Sequence, residues 1–121
     1  MNFEQLEVWK RSRELSGGIY KGLRGLKDYN FWSQITRSGL SIPSNIAEGF
    51  ERGSLKECVV FLLYAKGSCG ELRTQVFIGI DIGYINKSLG EDWLRETKEI
   101  SLMLGGLIKT KRKFLRETPT A

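Results

Sequence analysis

The chain has 121 residues, with 40% hydrophobic and 27% charged, which indicates one globular domain and excludes a disordered chain. Lys plus Arg number 19 against 14 for Asp plus Glu, and the resulting net charge of +5 favours an anionic partner. The chain contains no histidine, which excludes the usual catalytic triads and most transition-metal sites.

The hydrophobic period is helical along the whole chain and predicts four helices. The first predicted helix runs from about Gln5 to Leu26 and contains several glycines, so we expect it to be stable only when packed. Its expected inward face consists of Leu6, Trp9, Ile19, Tyr20 and Leu23.

The second predicted helix spans about Phe31 to Arg52, although it includes the loop-like stretch GLSIPSNIAEGF. Apolar residues and glycines recur there at helical steps of three and four, namely Ile35, Gly39, Ile42, Ile46 and either Gly49 or Phe50. A proline inside a helix removes a hydrogen bond and crowds the carbonyl four residues earlier, so we expect a kink at Pro43. A helix–turn–helix is the competing local interpretation.

Gly53 predicts the end of the second helix, and Ser54 predicts the N-cap of the third helix. Glu57, three residues after Ser54, completes a capping box. The third predicted helix runs from Leu55 to about Tyr84. Its inward stripe has heptad spacing and consists of Cys58, Leu62, Ala65, Cys69, Leu72, Val76, Gly79 and Gly83. Further apolar residues widen this stripe, so the helix is expected to touch more than one neighbour.

The fourth predicted helix runs from about Glu91 to Arg116, with an inward stripe of Leu94, Thr97, Ser101, Leu104, Ile108 and Leu115. Four helices with short connections predict an all-α fold, an antiparallel up-down-up-down four-helix bundle. We expect one domain over residues 1–121, with a basic, frayed tail at 112–121. The two cysteines lie on one side of the third helix, about 16 Å apart, and are interpreted as buried core residues.

A polar stripe runs beside the apolar face of the second helix, formed by Gln34, Ser38, Ser41, Asn45, Glu48 and Arg52. One interpretation is a surface for RNA or a protein partner. The other is a semi-buried network at a helix or subunit interface, with Glu48 paired to Arg37, Arg52 or Arg73. The constant angle to the apolar face favours the structural interpretation.

Several motifs resemble those of a known family. They are Phe3, Leu6, Val8-Trp9 and Tyr20, then Gln34-Ile35 and Arg37, then SIPSNIAEGFERGS, and then Phe61-Leu62, Ala65-Lys66-Gly67-Ser68, Glu71-Leu72 and Thr74-Gln75. From about Phe3 to Ile108 the chain resembles the four-helix-bundle family of 23S rRNA intervening-sequence proteins. Relatives of that family resemble the accessory variability determinant of diversity-generating retroelements. The string SIPSNIAEG with a following arginine is the most specific element.

The resemblance implies a protomer that assembles into a homopentamer with a basic surface. The resemblance suggests three kinds of partner, namely further copies of this chain, RNA or DNA, and a reverse transcriptase. The family motif supplies a candidate polar network of Gln34, Arg37, Ser41, Asn45, Glu48, Arg52, Ser68 and Glu71. One departure is Thr36, where relatives often carry a second arginine.

Basic residues concentrate in two helices. The candidate nucleic-acid contacts are Lys10, Arg11, Arg13, Lys21 and Arg24 in the first helix, and Lys109, Lys111, Arg112, Lys113 and Arg116 in the last. The functional interpretation is an electrostatic surface for phosphate backbones. The alternative is solvated charge near a helix C-terminus. Tyr64 and Trp93 are the candidate exposed aromatics, although burial in the core or at an interface is the favoured expectation for both.

No phosphate-binding loop, nucleophile elbow or metal-ligand cluster occurs in the sequence, so we expect no enzyme activity, no cofactor and no metal. No apolar run approaches the roughly 18 residues of a membrane span, and the N-terminus lacks a signal sequence, so a cytoplasmic protein is expected. The predicted function is a non-catalytic oligomer that binds structured RNA or an RNA/DNA hybrid. The alternative is an interaction scaffold for a partner enzyme such as a reverse transcriptase.

Overall fold

A computed structural model describes residues 2–117 of the chain. Within that range it contains a 3₁₀ turn and four α-helices, with no strand. The turn spans Phe3–Gln5, and the helices are α1 (Glu7–Gly22), α2 (Tyr29–Glu51), α3 (Leu55–Asp81) and α4 (Lys87–Glu117). The predicted all-α class and the number of helices are confirmed. Residues 112–117 of the predicted tail continue α4, and its last residues, 118–121, lie outside the described range.

Local polar groups fix where three of the helices begin. At α4 the Asn86 side-chain oxygen accepts from the Ser88 and Leu89 N–H groups at 2.9 and 3.3 Å. The Asp28 carboxylate accepts a hydrogen bond from the Phe31 N–H at 3.1 Å, which caps α2. The predicted N-cap Ser54 accepts from the Glu57 N–H at 3.3 Å. Each connection between consecutive helices contains a glycine with positive φ, namely Gly25 at 87°, Gly53 at 75° and Gly83 at 82°. A β-carbon disfavours that conformation, so these glycines allow the chain to reverse.

The four helices enclose one hydrophobic core, because α1 packs against α2 and α4, and α3 packs against the same two helices. The largest fully buried side chains are Ile19, Ile35, Ile42, Ile46, Leu62, Leu72, Ile100 and Leu104. The predicted inward positions of α2 are buried, with Gly49 rather than the partly buried Phe50 as the last of them. The predicted inward positions of α3 are buried through Gly79. Both cysteines are buried and free, and burial raises the pKa of the Cys69 thiol to about 11.

The inward face of α1 differs from the prediction. Tyr20 is 37% exposed, whereas the small residues Ser12 and Ser16 are buried. Ser12 is accommodated because its hydroxyl donates to the Trp9 carbonyl oxygen at 3.0 Å. Small inward residues let α1 lie close to its neighbours, which large-residue periodicity alone does not reveal. Gly83 and Leu115 are likewise exposed, because both lie beyond the packed length of their helices.

Helix α2 continues without interruption through Pro43, so the helix–turn–helix interpretation is wrong. The residue whose carbonyl a proline ring crowds is Gly39, and a side chain there would come within 3.3 Å of Ile19. The kink at Pro43 stays a prediction. Between residues 2 and 117, no helix has both the length and the apolar character needed to cross a membrane.

Candidate nucleic-acid interface

Most of the basic residues near the end of α4 share one face of that helix. Because successive residues advance by about 100°, positions 109, 112, 113 and 116 fall within an arc of about 100°. Lys111 lies on the opposite side, and its Nζ is 4.7 Å from the centre of the Phe50 ring. Lys111 therefore packs on the end of α2, whereas the others face outward.

Three of these outward cations, Lys109, Arg112 and Arg116, border a groove of about 420 Å³ between α3 and α4. The α3–α4 groove is lined by Leu63, Lys66, Gly105, Ile108, Lys109, Arg112 and Arg116, with no carboxylate among them. Lys66 is held towards α4 because its Nζ donates to the Ser101 hydroxyl at 2.9 Å. The sequence analysis missed Lys66 as a basic contributor. Its position on α3, one turn from Leu63, could have identified it once α3 was placed beside α4.

Three basic residues of α1, namely Lys10, Arg13 and Lys21, lie along a different groove, of about 700 Å³. This α1 groove is lined by Glu4, Trp9, Lys10, Arg13, Glu14, Gly17, Gly18 and Lys21. The Arg13 guanidinium lies 5.4 Å from the centre of the Trp9 ring. The carboxylates of Glu4 and Glu14 offset part of the positive charge, so this groove attracts phosphate less than the α3–α4 groove does.

Arg11 is engaged in a partly exposed ion pair between two helices. Its Nε and Nη2 donate to the two carboxylate oxygens of Glu96 at 2.9 and 2.5 Å, which joins α1 to α4. This hydrogen bonding raises the pKa of Arg11 and lowers the pKa of Glu96. Because its charge is already neutralised, Arg11 is a tie between helices and a poor candidate for phosphate contact.

The fold brings the basic residues of α1 and those at the end of α4 together only in part. The start of α1 adjoins the later part of α4, since Leu6 and Met103 line one cavity. Gly22 instead lies against Trp93, and positions 93 and 112 are about 28 Å apart along α4. Lys10 is therefore on the half of the bundle near the α4 cluster, whereas Lys21 and Arg24 are at the other end.

Part of the predicted polar stripe forms hydrogen bonds between α2 and α3. The Ser38 hydroxyl donates to Glu71 at 3.0 Å, and the Ser41 and Ser68 hydroxyls are 2.5 Å apart. The Asn45 amide stays within α2 and donates to the Ser41 carbonyl oxygen at 2.8 Å. We call these residues, together with Gln75, the α2–α3 polar network.

Gln75 belongs to the α2–α3 polar network, although the sequence analysis named it only as part of a family motif and not as part of the candidate network. Its amide nitrogen lies 3.4 Å from Glu71, and its buried carbonyl oxygen has no hydrogen-bond partner among residues 2–117. Gln34 and Arg37 are exposed and lie outside this network. Gln34 offers only its backbone carbonyl oxygen, which lies 3.0 Å from the Ser38 hydroxyl and is the alternative to Glu71 as acceptor of its single proton.

Of the three partners considered for Glu48, the structure pairs it with Arg52, at 3.0 Å. The Arg52 guanidinium also lies 4.9 Å from the centre of the Phe61 ring, so this pair contacts α3. Arg73 instead donates to the Leu94 carbonyl oxygen of α4 at 2.5 Å.

An aromatic notch of about 400 Å³ lies where α1 turns into α2. It is lined by Tyr20, Arg24, Gly25, Leu26, Tyr29 and Trp32. The Trp32 ring centre is 5.7 Å from that of Tyr20 and 5.8 Å from that of Tyr29. The sequence analysis did not single out this notch, although aromatic residues on both sides of a predicted turn were the available signal.

The two aromatic residues that the sequence did name have opposite environments. Trp93 is buried, with 6% of its surface exposed, and it packs against Gly22 of α1. Tyr64 is 57% exposed on the outer side of α3 and makes an edge contact with Phe61.

Comparison with known proteins identifies relatives of this arrangement. The family model of the 23S rRNA-intervening sequence protein matches residues 4–106. The chain is also similar to a crystal structure from Bacteroides thetaiotaomicron, described as a protein of unknown function from the S23 ribosomal protein family. The two are 29% identical with a TM-score of 0.79, over 84% of this chain and 98% of that one. No curated protein matches the sequence.

The region that matches the family model includes some of the candidate sites and excludes others. It includes the whole α2–α3 polar network and the aromatic notch, and it ends within α4 before Lys109. The cations that α4 contributes to the α3–α4 groove therefore lie outside the matched region, whereas Lys66 lies inside it.

Proposed function

Because the chain belongs to the family of 23S rRNA-intervening sequence proteins, we propose that it is a non-catalytic protein that binds structured RNA or an RNA/DNA hybrid. The observation that carries this proposal is the α3–α4 groove. Its four cations, Lys66, Lys109, Arg112 and Arg116, surround an apolar floor with no acidic residue in the lining. A row of cations of this kind favours a phosphate backbone, because each neutralised phosphate releases counterions.

The groove supports binding that reads the backbone and discriminates little between sequences. Phosphate contacts position a nucleic acid, whereas sequence is read by groups that reach base edges. Lys and Arg side chains on the rim of an open groove supply the first kind of contact. A binding role without catalysis also agrees with the burial of both thiols, since a buried thiol with a raised pKa is a poor nucleophile.

We also propose the up-down-up-down arrangement of the helices. Contacts near both ends of α2 and α3 support it. The end of α2 meets the start of α3, where a side chain at Gly49 would come within 3.2 Å of the Cys58 carbonyl oxygen. The start of α2 meets the end of α3, where Phe31 approaches Gly79.

Self-association is a further part of the proposal, with the pentamer taken from the family resemblance. Its support is a run of exposed apolar side chains on the outer side of α3 and just after it, formed by Val60, Leu63, Tyr64, Phe77, Ile78 and Ile82. Exposed apolar surface of this extent marks interaction sites. Five copies at +5 each would carry about +25, so weak phosphate contacts would add through multivalency.

The test compares salt dependence between the parent and a groove variant. Lys109→Gln, Arg112→Gln and Arg116→Gln are combined, and labelled duplex RNA and an RNA/DNA hybrid are titrated at several salt concentrations. Losing three phosphate contacts should reduce the slope of log K against log salt by up to about 2.7. The matched control combines Lys56→Gln, Lys87→Gln and Lys98→Gln, which removes the same charge from exposed positions. The control should keep most of the parent slope.

Two outcomes would contradict the proposal. One is that the parent fails to bind either probe at low salt. The other is that parent and groove variant have equal slopes while circular dichroism shows both folded. The scaffold alternative, with a partner enzyme such as a reverse transcriptase, would then account for the exposed face of α3.

A further inference from the structure

We propose that the aromatic notch between α1 and α2 stacks unpaired bases of the bound strand. This inference rests on the proposed function and assigns to the notch one class of ligand, the unpaired nucleotide. The α3–α4 groove offers cations without aromatic rings, whereas the notch offers aromatic rings beside a cation. The two sites therefore suit different parts of the same ligand.

The ring arrangement in the notch suits base stacking. Tyr29 stacks on Trp32 with 30° between the ring planes, and Tyr29 is 72% exposed. One face of Tyr29 is therefore covered by Trp32, while the other is open to solvent. Tyr20 makes an edge contact with Trp32, with 80° between the ring planes. A base placed on the open face of Tyr29 would extend an existing stack, which is how single-strand-binding proteins hold bases.

The backbone around Tyr29 is fixed before any ligand arrives. Tyr29 is the first residue of α2, directly after the cap residue Asp28. The Asp28 carboxylate accepts from the Phe31 N–H at 3.1 Å and from the Tyr84 hydroxyl at 2.9 Å, which anchors this turn to the segment after α3. A ring on a rigid turn loses less conformational entropy when a base stacks on it.

Charge distinguishes a nucleotide from other aromatic-binding partners. Arg24 lines the notch, and the neighbouring Lys21 and Lys27 are exposed. The nearest carboxylate in sequence, Asp28, is already engaged by two donors. An aromatic ring face next to exposed cations suits a base with an adjacent phosphate. An apolar peptide carries no negative charge with which these cations could pair. The notch volume of about 400 Å³ is also in the range of small-ligand sites.

The test uses probes that separate the base from the phosphate. Oligo(U) of about 20 nucleotides, which exceeds the site size of common single-strand folds, is compared with an abasic strand of equal length and with duplex RNA. The parent should bind oligo(U) about 5- to 150-fold more tightly than the abasic strand. Tyr29→Ala should abolish that preference and leave the salt slope and duplex binding unchanged. Tyr29→Phe should retain the preference.

The matched control is Leu102→Ala, which removes an exposed apolar side chain, 63% exposed, from the middle of α4. It should behave like the parent. Equal binding of oligo(U) and the abasic strand by the parent would overturn the inference, as would a Tyr29→Ala variant that keeps the parent's preference. A change in assembled mass in Tyr29→Ala would also overturn it, since the notch would then be a contact between copies.

Failure of the notch and failure of the proposed function give different results. Duplex RNA that binds with a steep salt slope, together with no preference for bases, removes the notch alone. A parent that binds none of the three probes at low salt removes the proposed function, and the notch with it.

Discussion

The bidentate contact between Arg11 and Glu96 makes the α1–α4 contact depend on pH. In the folded protein the Arg11 guanidinium holds the pKa of Glu96 below its usual value of 4.5. The stability from this pair is therefore fully present above about pH 4.5 and is lost as pH falls through the folded pKa. Both side chains are about one third exposed, so we expect a modest contribution of about 0.5–1 kcal/mol near neutral pH.

Thermal melts of the parent and Glu96→Gln between about pH 7 and pH 3 test this prediction. The variant should melt at a lower temperature at neutral pH, and the difference should shrink as the solution is acidified. Glu91→Gln, which changes an exposed carboxylate on the same helix, serves as the control. A constant difference between parent and Glu96→Gln across this range would show that the charge of Glu96 is irrelevant.

Residues of the predicted polar stripe on α2 are expected to contribute unequally to the free energy of unfolding. Ser41 is partly buried and bridges to Ser68, so Ser41→Ala should cost about 1 kcal/mol of unfolding free energy. The Glu48–Arg52 pair is about half exposed, with i,i+4 spacing, so Glu48→Ala should cost at most about 0.5 kcal/mol. Urea denaturation of both variants gives the comparison. A larger loss in Glu48→Ala would reverse this ranking.

At the scale of helices, the closest approaches occur at glycines. A β-carbon at Gly49 would lie 3.2 Å from the Cys58 carbonyl oxygen, and backbone cannot easily move away. A β-carbon at Gly106 would meet nothing within 4 Å. Gly49→Ala should therefore destabilise the protein by about 1–3 kcal/mol, because α2 and α3 must separate. Gly106→Ala should stabilise it by about 0.5–1 kcal/mol through helix propensity. Equal effects in denaturant melts would refute the close contact.

Sequence periodicity predicted the helices well where one face is clearly apolar. The stripes of α2 and of α3 through Gly79 are buried, and the Ser54 cap is in place. Periodicity failed in α1, where the buried residues that the predicted face omitted are the small Ser12 and Ser16 and the larger Val8 and Leu15. An amphipathic pattern identifies inward positions by their large apolar side chains, whereas helices that pack closely need small side chains at the contact. Tyr20 was therefore placed in the core although it lies at the edge.

At the scale of the whole molecule, the outer side of α3 predicts self-association. Light scattering after size exclusion should give a mass that is a multiple of the 13.8 kDa chain. Ile78→Glu should lower that mass, because a carboxylate in an apolar contact is costly to desolvate. Leu102→Glu, on α4, is the control and should keep the parent mass. A parent that is monomeric at micromolar concentration would contradict the prediction.

The candidate sites show what sequence cannot supply. The composition pointed to cations, and the sequence places five of them near the end of α4, where Lys111 lies on the opposite side of the helix from the other four. Lys66 and Arg112 line the same groove only because α3 and α4 are neighbours. The pairing of Arg11 with Glu96 depends on a contact between α1 and α4. The aromatic notch likewise requires the α1–α2 turn to bring Tyr20 beside Trp32. Each of these is a property of tertiary packing, which a local pattern does not contain.

The way the helices close around the core also has a kinetic consequence. Three of the helix contacts join consecutive helices, whereas Arg11 and Glu96 meet across 85 residues of chain. Contacts between distant residues carry the larger loop-closure cost, so the α1–α4 contact is expected to form after the rate-limiting barrier of folding. Removing its tie should then speed unfolding and leave the refolding rate unchanged. On that view the pairing of Arg11 with Glu96 sets how long the folded bundle lasts, and has little influence on how fast the bundle forms.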